Sequence, residues 1–231
     1  MTTLHYLFDP FCGWCYAAAP LVRAARALPG LTLALHGGGM MAGGNAQRVT
    51  PQLRDYVIPH DRRIATMSGQ PFGDAYFDGL LRDSTAVFDS EPPTTAILAA
   101  DALAGRGADM LQRQQQAHYV EGRRIADPAV LRALATDIGL DATAFEQAFA
   151  QASGTPTLQH ISASRALLKQ LGAQGFPSFA LEAEDGSLEL LDAGRYLGRA
   201  EDWQQLLTAR LPAAATTDAS LPLCGPDGCA I

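Results

Sequence analysis

The four cysteines carry the most reactive side chains of this sequence, and they form two close pairs near opposite ends of the chain. The pairs are Cys12 with Cys15 and Cys224 with Cys229. Two thiols separated by two residues can exchange disulfides, because one thiolate attacks and the second thiol resolves the mixed disulfide. The same spacing also suits half of a zinc site or two unreactive thiols. Spacing alone leaves these three interpretations open.

The residues around the first pair predict a strand followed by a helix. Residues 4–8 are a short apolar run typical of a buried strand, and residues 12–28 form an alanine-rich helical pattern that Pro20 should kink. Unpaired amides and the dipole at a helix start lower cysteine pKa values in such motifs from ~8.5 to between ~3.5 and ~7.5. This context favours a redox pair, with Cys12 as the nucleophile and the more shielded Cys15 as the resolving cysteine.

The remaining patterns predict two strand-containing segments separated by a long helical block. A strand at residues 31–36 precedes the glycine run 37–39, and strands at residues 178–181 and 188–191 form a hairpin. A final helix is expected at residues 200–211. The expected helices of the block cover residues 93–103, 109–119 and 128–138 (capped by Asp127), a segment capped by Asp141, and a segment that Thr155 and Pro156 open and Gly172 closes.

This order of elements predicts an α/β protein with the thioredoxin fold and a large all-helical insertion. Without the helical block, the order β-α-β-β-α is the minimal thioredoxin arrangement. We expect a discontinuous thioredoxin-like domain at residues 1–40 and 173–211 and a helical insertion domain at residues 41–172. Residues 212–231 are expected to form a flexible C-terminal tail that carries the second cysteine pair.

Two sequence segments resemble one family. The run from Asp9 to Tyr16, DPFCGWCY, and the run GFPSF at residues 175–179 are similar to the DsbA-like superfamily, particularly its cytosolic FrnE-type branch. Residues 90–93 and 118–123 are similar to segments of the helical insertion in the same group. The resemblance covers residues 3 to about 211. It implies that Pro177 is cis and packs against Cys12.

The resemblance also implies a function, a thiol–disulfide oxidoreductase or disulfide isomerase that acts on protein dithiols and disulfides. The backbone of Phe176, before Pro177, would pair with a substrate chain as an added strand. Glutathione or a thioredoxin-type protein is the expected reductant. The strongly oxidising periplasmic enzymes carry Pro-His between their cysteines, whereas this chain has Gly13 and Trp14. Because histidine can stabilise the thiolate, we expect a less oxidising protein here.

Other candidate residues each have a simpler explanation. Asp9 and His36 lie near strand ends that should face the active site, so either could relay a proton. However, an Asp before a Pro is commonly a turn residue, and a lone His commonly caps a strand. Trp14 could belong to an apolar docking surface, or it could be a packing residue. In the tail, Cys224 and Cys229 flank Gly-Pro-Asp-Gly and could be a second redox pair, two zinc ligands or inert thiols.

Composition and charge limit the classes of binding partner that we expect. The chain has 231 residues and a formal net charge of −7, and without a Lys or Arg cluster it is not expected to bind nucleic acid. The start has no signal-peptide pattern and no apolar run could span a bilayer, so we expect a soluble cytoplasmic protein with no membrane partner. No cofactor and no metal are expected.

Two other classes remain as alternatives. One contains the glutathione-dependent kappa-type transferases and hydroxychromene-carboxylate isomerases, which share the insertion topology but usually have serine in place of the first cysteine. The intact pair Cys12 and Cys15 argues against that class. The other alternative is a non-catalytic binding module, which should be indifferent to Cys12→Ser if it still folds.

Overall fold

A computed structural model describes residues 2–212, which form six strands and nine α-helices. The strands are β1 (Thr2–Phe8), β2 (Leu31–Gly37), β3 (Gln47–Arg48), β4 (Val87–Phe88), β5 (Ser178–Glu182) and β6 (Leu188–Leu191). The helices are α1 (Gly13–Ala17), α2 (Ala19–Arg26), α3 (Pro51–Ser68), α4 (Glu91–Ala104), α5 (Gly107–Tyr119), α6 (Pro128–Asp137), α7 (Ala142–Ala152), α8 (Thr155–Gln170) and α9 (Ala200–Thr208).

A four-stranded mixed sheet in the order β2-β1-β5-β6 forms the centre of the fold. β1 runs parallel to β2 and antiparallel to β5, and β5 and β6 form the predicted hairpin. Since side chains alternate along a strand, Tyr6 and its neighbour His5 face opposite sides of β1. On the Tyr6 side, the Tyr6 ring stacks on Phe179, which packs edge-on against Trp203 of α9. This strand order and mixed pairing are those of the predicted thioredoxin arrangement.

The helix after β1 is interrupted rather than bent. α1 ends at Ala17 and α2 begins at Ala19, with Pro20 in the first turn of α2. Proline fits the first turn of a helix because the amide it lacks would have no intrahelical partner there. The predicted kink at Pro20 is therefore a break between two short helices.

The segment between β2 and β5 is not purely helical, unlike the predicted insertion. β3 and β4 form a two-residue antiparallel ladder, in which Gln47 is opposite Phe88 and Arg48 opposite Val87. The sequence patterns missed it because two residues are too few for an alternation to be recognised. α8 also lies within residues 41–172, yet it contacts β2 of the central sheet.

Two of the three predicted N-caps are present. Asp127 accepts a hydrogen bond from the amide of Ala129, and Asp141 accepts one from the amide of Ala144. For α8, however, Gly154 is the N-cap and Thr155 is already helical. The φ of Gly154 is 71°, a conformation that glycine adopts readily, and it moves the helix start by one residue. α9 also ends at Thr208, before the expected residue 211.

Within residues 2–212, no helix combines the length and apolar character needed to cross a membrane.

Candidate active site

Cys12 and Cys15 lie at the start of α1 as free thiols. Cys12 is the N-cap, and its Sγ accepts a hydrogen bond from the backbone amide of Cys15 at 3.3 Å. Its exposed fraction is 6%, whereas that of Cys15 is 0%. Burial, together with the neighbouring Cys12, raises the pKa of Cys15 well above its ordinary value. The arrangement therefore has one thiol at the helix start with residual exposure and a second, neutral thiol beneath it.

Phe176 and Pro177 face the first cysteine from the opposite side. The peptide bond between them is cis, and the Cys12 thiol donates to the Phe176 carbonyl oxygen at 3.4 Å. The Phe176 ring lies against Gly38, where a Cβ atom would overlap the ring. Residues 164 positions apart in the sequence thus meet at one sulfur atom. The expected cis state of Pro177 and the expected approach of this segment to Cys12 are both present.

Asp9 connects three segments around the cysteine turn. Its carboxylate accepts hydrogen bonds from the amides of Phe11 at 2.9 Å and Met40 at 2.5 Å, and from the Ser90 hydroxyl at 2.9 Å. The side chain is fully buried, and burial raises its pKa to about 6 although these three donors act in the opposite direction. Its charge is also one of the influences that raise the pKa of Cys15. Asp9 is therefore an electrostatic neighbour of the pair.

His36 does not join this cluster. In the parallel register Leu7 is opposite His36, so His36 shares the His5 face of the sheet rather than the Tyr6 face. Its Nε2 lies 2.9 Å from Nδ1 of His5, and Nε2 of His5 lies 2.8 Å from Glu182. Burial, followed by His5 and His160, lowers the pKa of His36 to about 4. By contrast, the hydroxyl of Tyr6 donates a hydrogen bond to the Cys15 carbonyl, so the cysteines lie on the Tyr6 face of the sheet. The expectation that His36 faces the cysteines is therefore wrong.

Of the other predicted site residues, Trp14 lies within the described part of the chain and the two tail cysteines do not. Trp14 is partly buried and packs against the core, so only part of its ring is available for contact with another molecule. Cys224 and Cys229 lie outside the described residues. In residues 2–212, no group of three or more His, Cys, Asp or Glu side chains is arranged to hold a metal ion.

Two charged residues near the site were missed by sequence reasoning. Asp61 of α3 is buried against Gly13, and Arg165 of α8 donates to the carbonyls of Gly38 and Gly39 at 2.8 and 2.5 Å. The burial of Asp61 could have been predicted from helical spacing, because Asp61 lies on the same face of α3 as the partly or fully buried Val57, Ile64 and Ser68. Arg165 has no comparable pattern, since its partners lie 126 and 127 residues away.

An open groove lies next to Pro177. It has a volume of about 380 Å³ and is open to solvent. Its lining comes from the loop after α8, from β6 and from the residues that follow β6: Gly172, Gln174, Pro177, Leu190 and Asp192. This volume lies in the range of small-molecule sites, roughly 300–1,000 Å³.

A mixed thioredoxin-type sheet, a thiol pair at a helix start and a cis proline facing the first thiol define a thioredoxin-superfamily protein. Residues 3–197 match the family model of the DSBA-like thioredoxin domain, and the chain belongs to this family. The resemblance inferred from residues 9–16 and 175–179 and the predicted fold are confirmed. No curated protein matches the chain.

Solved structures with high similarity agree with this family. The cytosolic disulfide reductase DsbM from Pseudomonas aeruginosa is 57% identical, with a TM-score of 0.86, over 92% of this chain and 100% of that one. Its structure with GSH is 55% identical, with a TM-score of 0.84, over 90% and 98%. A putative protein disulfide isomerase from Nitrosomonas europaea is 25% identical, with a TM-score of 0.74, over 90% and 96%.

The alternative class is also represented among similar structures, at lower similarity. A 2-hydroxychromene-2-carboxylate isomerase is 16% identical, with a TM-score of 0.55, over 91% of this chain and 100% of that one. Identity at this level indicates a shared fold and nothing about the reaction.

Proposed function

We propose that this thiol–disulfide oxidoreductase works as a cytoplasmic disulfide reductase, with Cys12 as the attacking thiolate and Cys15 as the resolving thiol. The observation that carries the proposal is the position of Cys12 Sγ, between the Cys15 amide and the Phe176 carbonyl next to cis-Pro177. The similarity to a cytosolic disulfide reductase at 57% identity supports both the direction of electron flow and the location.

The reaction follows from the two thiols. The Cys12 thiolate attacks one sulfur of a substrate disulfide, forms a mixed disulfide and releases the other sulfur as a thiolate. Cys15 then loses its proton and attacks Cys12 Sγ, which forms the Cys12–Cys15 disulfide and releases the second thiolate. The substrate gains two electrons and two protons. Two molecules of a thiol such as glutathione can return the pair to the dithiol and leave as one disulfide.

Asp9 is the proposed proton acceptor for the resolving step. Because burial raises the pKa of Cys15, this thiol is protonated at neutral pH and needs a base when it attacks. With a pKa of about 6, Asp9 is mostly ionised at pH 7, and the hydrogen bonds that it accepts hold its carboxylate in place. His36 lies on the other face of the sheet and takes no part in this proposal.

Substrate orientation is assigned to Phe176, Pro177 and Trp14. The backbone of Phe176 would pair with an extended substrate segment, as in β-strand addition, and the exposed part of Trp14 would contact its apolar groups. The groove beside Pro177 is a candidate site for the remainder of a small thiol substrate. The GSH-containing structure of the 55% identical reductase supports glutathione as one such substrate.

Single-cysteine variants test the proposal. Cys15→Ser, made together with Cys224→Ser and Cys229→Ser, should accumulate a mixed disulfide between Cys12 and glutathione when incubated with oxidised glutathione, because no other cysteine of the chain remains to resolve it. Intact-protein and peptide mass spectrometry would locate the added glutathionyl group. Cys12→Ser should lose insulin-disulfide reduction by at least about 100-fold, since the nucleophile itself is removed.

A matched control is the double variant Cys224→Ser/Cys229→Ser, which leaves the first pair unchanged. If Cys12→Ser retained most of its reductase activity, or if the Cys15→Ser variant carried no glutathione on Cys12, the assignment of Cys12 would be refuted. Turnover of hydroxychromene-carboxylate without any disulfide reduction would favour the isomerase class instead.

A further inference from the structure

The side chain of Asp61 packs against the cysteine turn at Gly13, although its helix α3 belongs to the segment between β2 and β5. A Cβ atom added to Gly13 would lie 2.7 Å from Oδ1 of Asp61 and 2.9 Å from Cδ1 of Ile64. Cβ atoms in proteins essentially never come within 3.0 Å of an atom to which they are not bonded, unless that atom is displaced. The carboxylate of Asp61 therefore occupies the space that a side chain at position 13 would need.

Asp61 is held in this position by a tyrosine. The hydroxyl of Tyr76 donates to Oδ2 of Asp61 at 2.7 Å, and both side chains are buried, with exposed fractions of 6% and 2%. The Tyr76 ring packs in turn against His118 and Tyr119 of α5. The orientation of the carboxylate is thus set by the aromatic core of the segment between β2 and β5, not by the cysteine turn itself.

Asp61 and the two cysteines act electrostatically on the same group. The pKa of the Tyr119 phenol is raised by burial and then by Tyr76, Asp61, Cys12 and Cys15. A single buried phenol is therefore within electrostatic reach of the carboxylate and both sulfurs. Since the surroundings are buried, the charge on Asp61 is weakly screened at the cysteine turn.

We propose that Asp61 is a positioning residue for the Cys12–Cys15 pair. Its carboxylate fills the space that a side chain at position 13 would occupy, and it places negative charge beside the dithiol. This inference rests on the proposed function. The reduced pair can ionise and the disulfide cannot, so negative charge nearby disfavours the reduced form relative to the disulfide. Asp61 thus makes the pair a stronger reductant, in agreement with the direction of the proposed reaction.

Asp61→Asn tests the charge at nearly unchanged shape. The full chain is equilibrated with mixtures of reduced and oxidised glutathione at pH 7.0, quenched with an alkylating agent, and analysed by mass spectrometry of the Cys12–Cys15 peptide. We expect the equilibrium of the variant to shift at least threefold toward the dithiol. For a two-electron couple, threefold corresponds to an increase in reduction potential of about 14 mV.

The pH dependence separates charge from structural damage. Burial raises the pKa of Asp61 to about 6, so the parent carboxyl is largely protonated at pH 5.0, and the difference between parent and Asp61→Asn should shrink there. A shift of the same size at both pH values would overturn the electrostatic role. The matched control is Asp55→Asn, an exposed acid on the same helix, which should leave the potential at the parent value.

Two further variants keep the inference falsifiable if Asp61→Asn does not fold. Tyr76→Phe removes the hydrogen bond that lowers the pKa of Asp61, so it should shift the equilibrium in the same direction by a smaller factor. Gly13→Ala should reduce insulin reduction more strongly in the parent than in Asp61→Ala, because the clash with the carboxylate is absent in the second background.

The two proposals fail in different ways. If the parent forms no reversible Cys12–Cys15 disulfide with glutathione, the proposed function is wrong. If the parent equilibrates normally but Asp61→Asn and Tyr76→Phe both have the parent potential, the proposed function stands and the role of Asp61 is refuted.

Discussion

A buried histidine next to the active-site loop should make the stability of this protein sensitive to acid. The His118 side chain is enclosed by the rings of Phe11, Phe88, Tyr76 and Tyr119, with centroid distances of 4.6 to 5.1 Å. Its Nδ1 has no hydrogen-bond partner among the described residues. Burial lowers the pKa of His118 from 6.5 to about 3, although the backbone of Arg123 acts in the opposite direction. The folded protein therefore holds this imidazole in its neutral form.

The size of the effect follows from linkage. A folded-state pKa below the unfolded value means that stability present above pH 6.5 is lost as the pH falls toward 3, because only the unfolded chain takes up the proton. Each unit of difference between the two pKa values is worth about 1.4 kcal/mol. The full loss attributable to His118 is then about 5 kcal/mol, and about 2 kcal/mol of it should be lost by pH 5.

Urea unfolding of the parent and of His118→Leu at pH 7.5 and pH 5.0, followed by far-UV circular dichroism, measures this term. Groups common to both proteins cancel in the difference, including the buried Asp9 and Asp61, whose raised pKa values favour the folded state as the pH falls. We expect the free energy of unfolding of the parent to fall by about 2 kcal/mol more than that of the variant. Exposed His60, replaced by Gln, is the matched control. Equal pH dependence in parent and His118→Leu would refute a neutral buried imidazole.

Two more substitutions test the contacts around the cysteine turn. Gly38→Ala should displace the Phe176 ring, which should lower the unfolding free energy by about 1–3 kcal/mol and slow insulin reduction. Gly44→Ala is the control, because Gly44 has open space around it. Equal losses in both variants would contradict the contact between Gly38 and Phe176. Ser90→Ala removes a donor that lowers the pKa of Asp9, so the acid limb of the pH–rate profile should move to higher pH, and an unchanged profile would argue against Asp9 as the proton acceptor.

Local patterns were sufficient to predict the elements that carry the cysteine pair. An apolar run, a break at Asp9 and Pro10 and an alanine-rich helical pattern place Cys12 at a helix start, because strand and helix periodicities span only a few residues. The caps at Asp127 and Asp141 were predictable for the same reason, since each bonds to an amide two or three residues away.

The errors arose where one residue of register or one distant contact decides the outcome. His36 was expected near the cysteines because β2 ends at their edge of the sheet, yet a side chain at a strand end faces one side only. The cap of α8 moved to Gly154 because glycine adopts a positive φ that threonine avoids. The β3–β4 ladder depends on pairing between segments about 40 residues apart.

The amino-acid sequence by itself determined which cysteines are neighbours in the chain, that Cys12 begins a helix, and the order of the main strands and helices. These features depend on residue type and short-range spacing, and they are sufficient to indicate the reaction class. Only the tertiary structure decided what surrounds the sulfurs. The Phe176 carbonyl at Cys12, the Asp61 carboxylate at Gly13 and the Asp9 network join residues far apart in the chain, and such contacts are set by how helices pack on the sheet rather than by any local pattern.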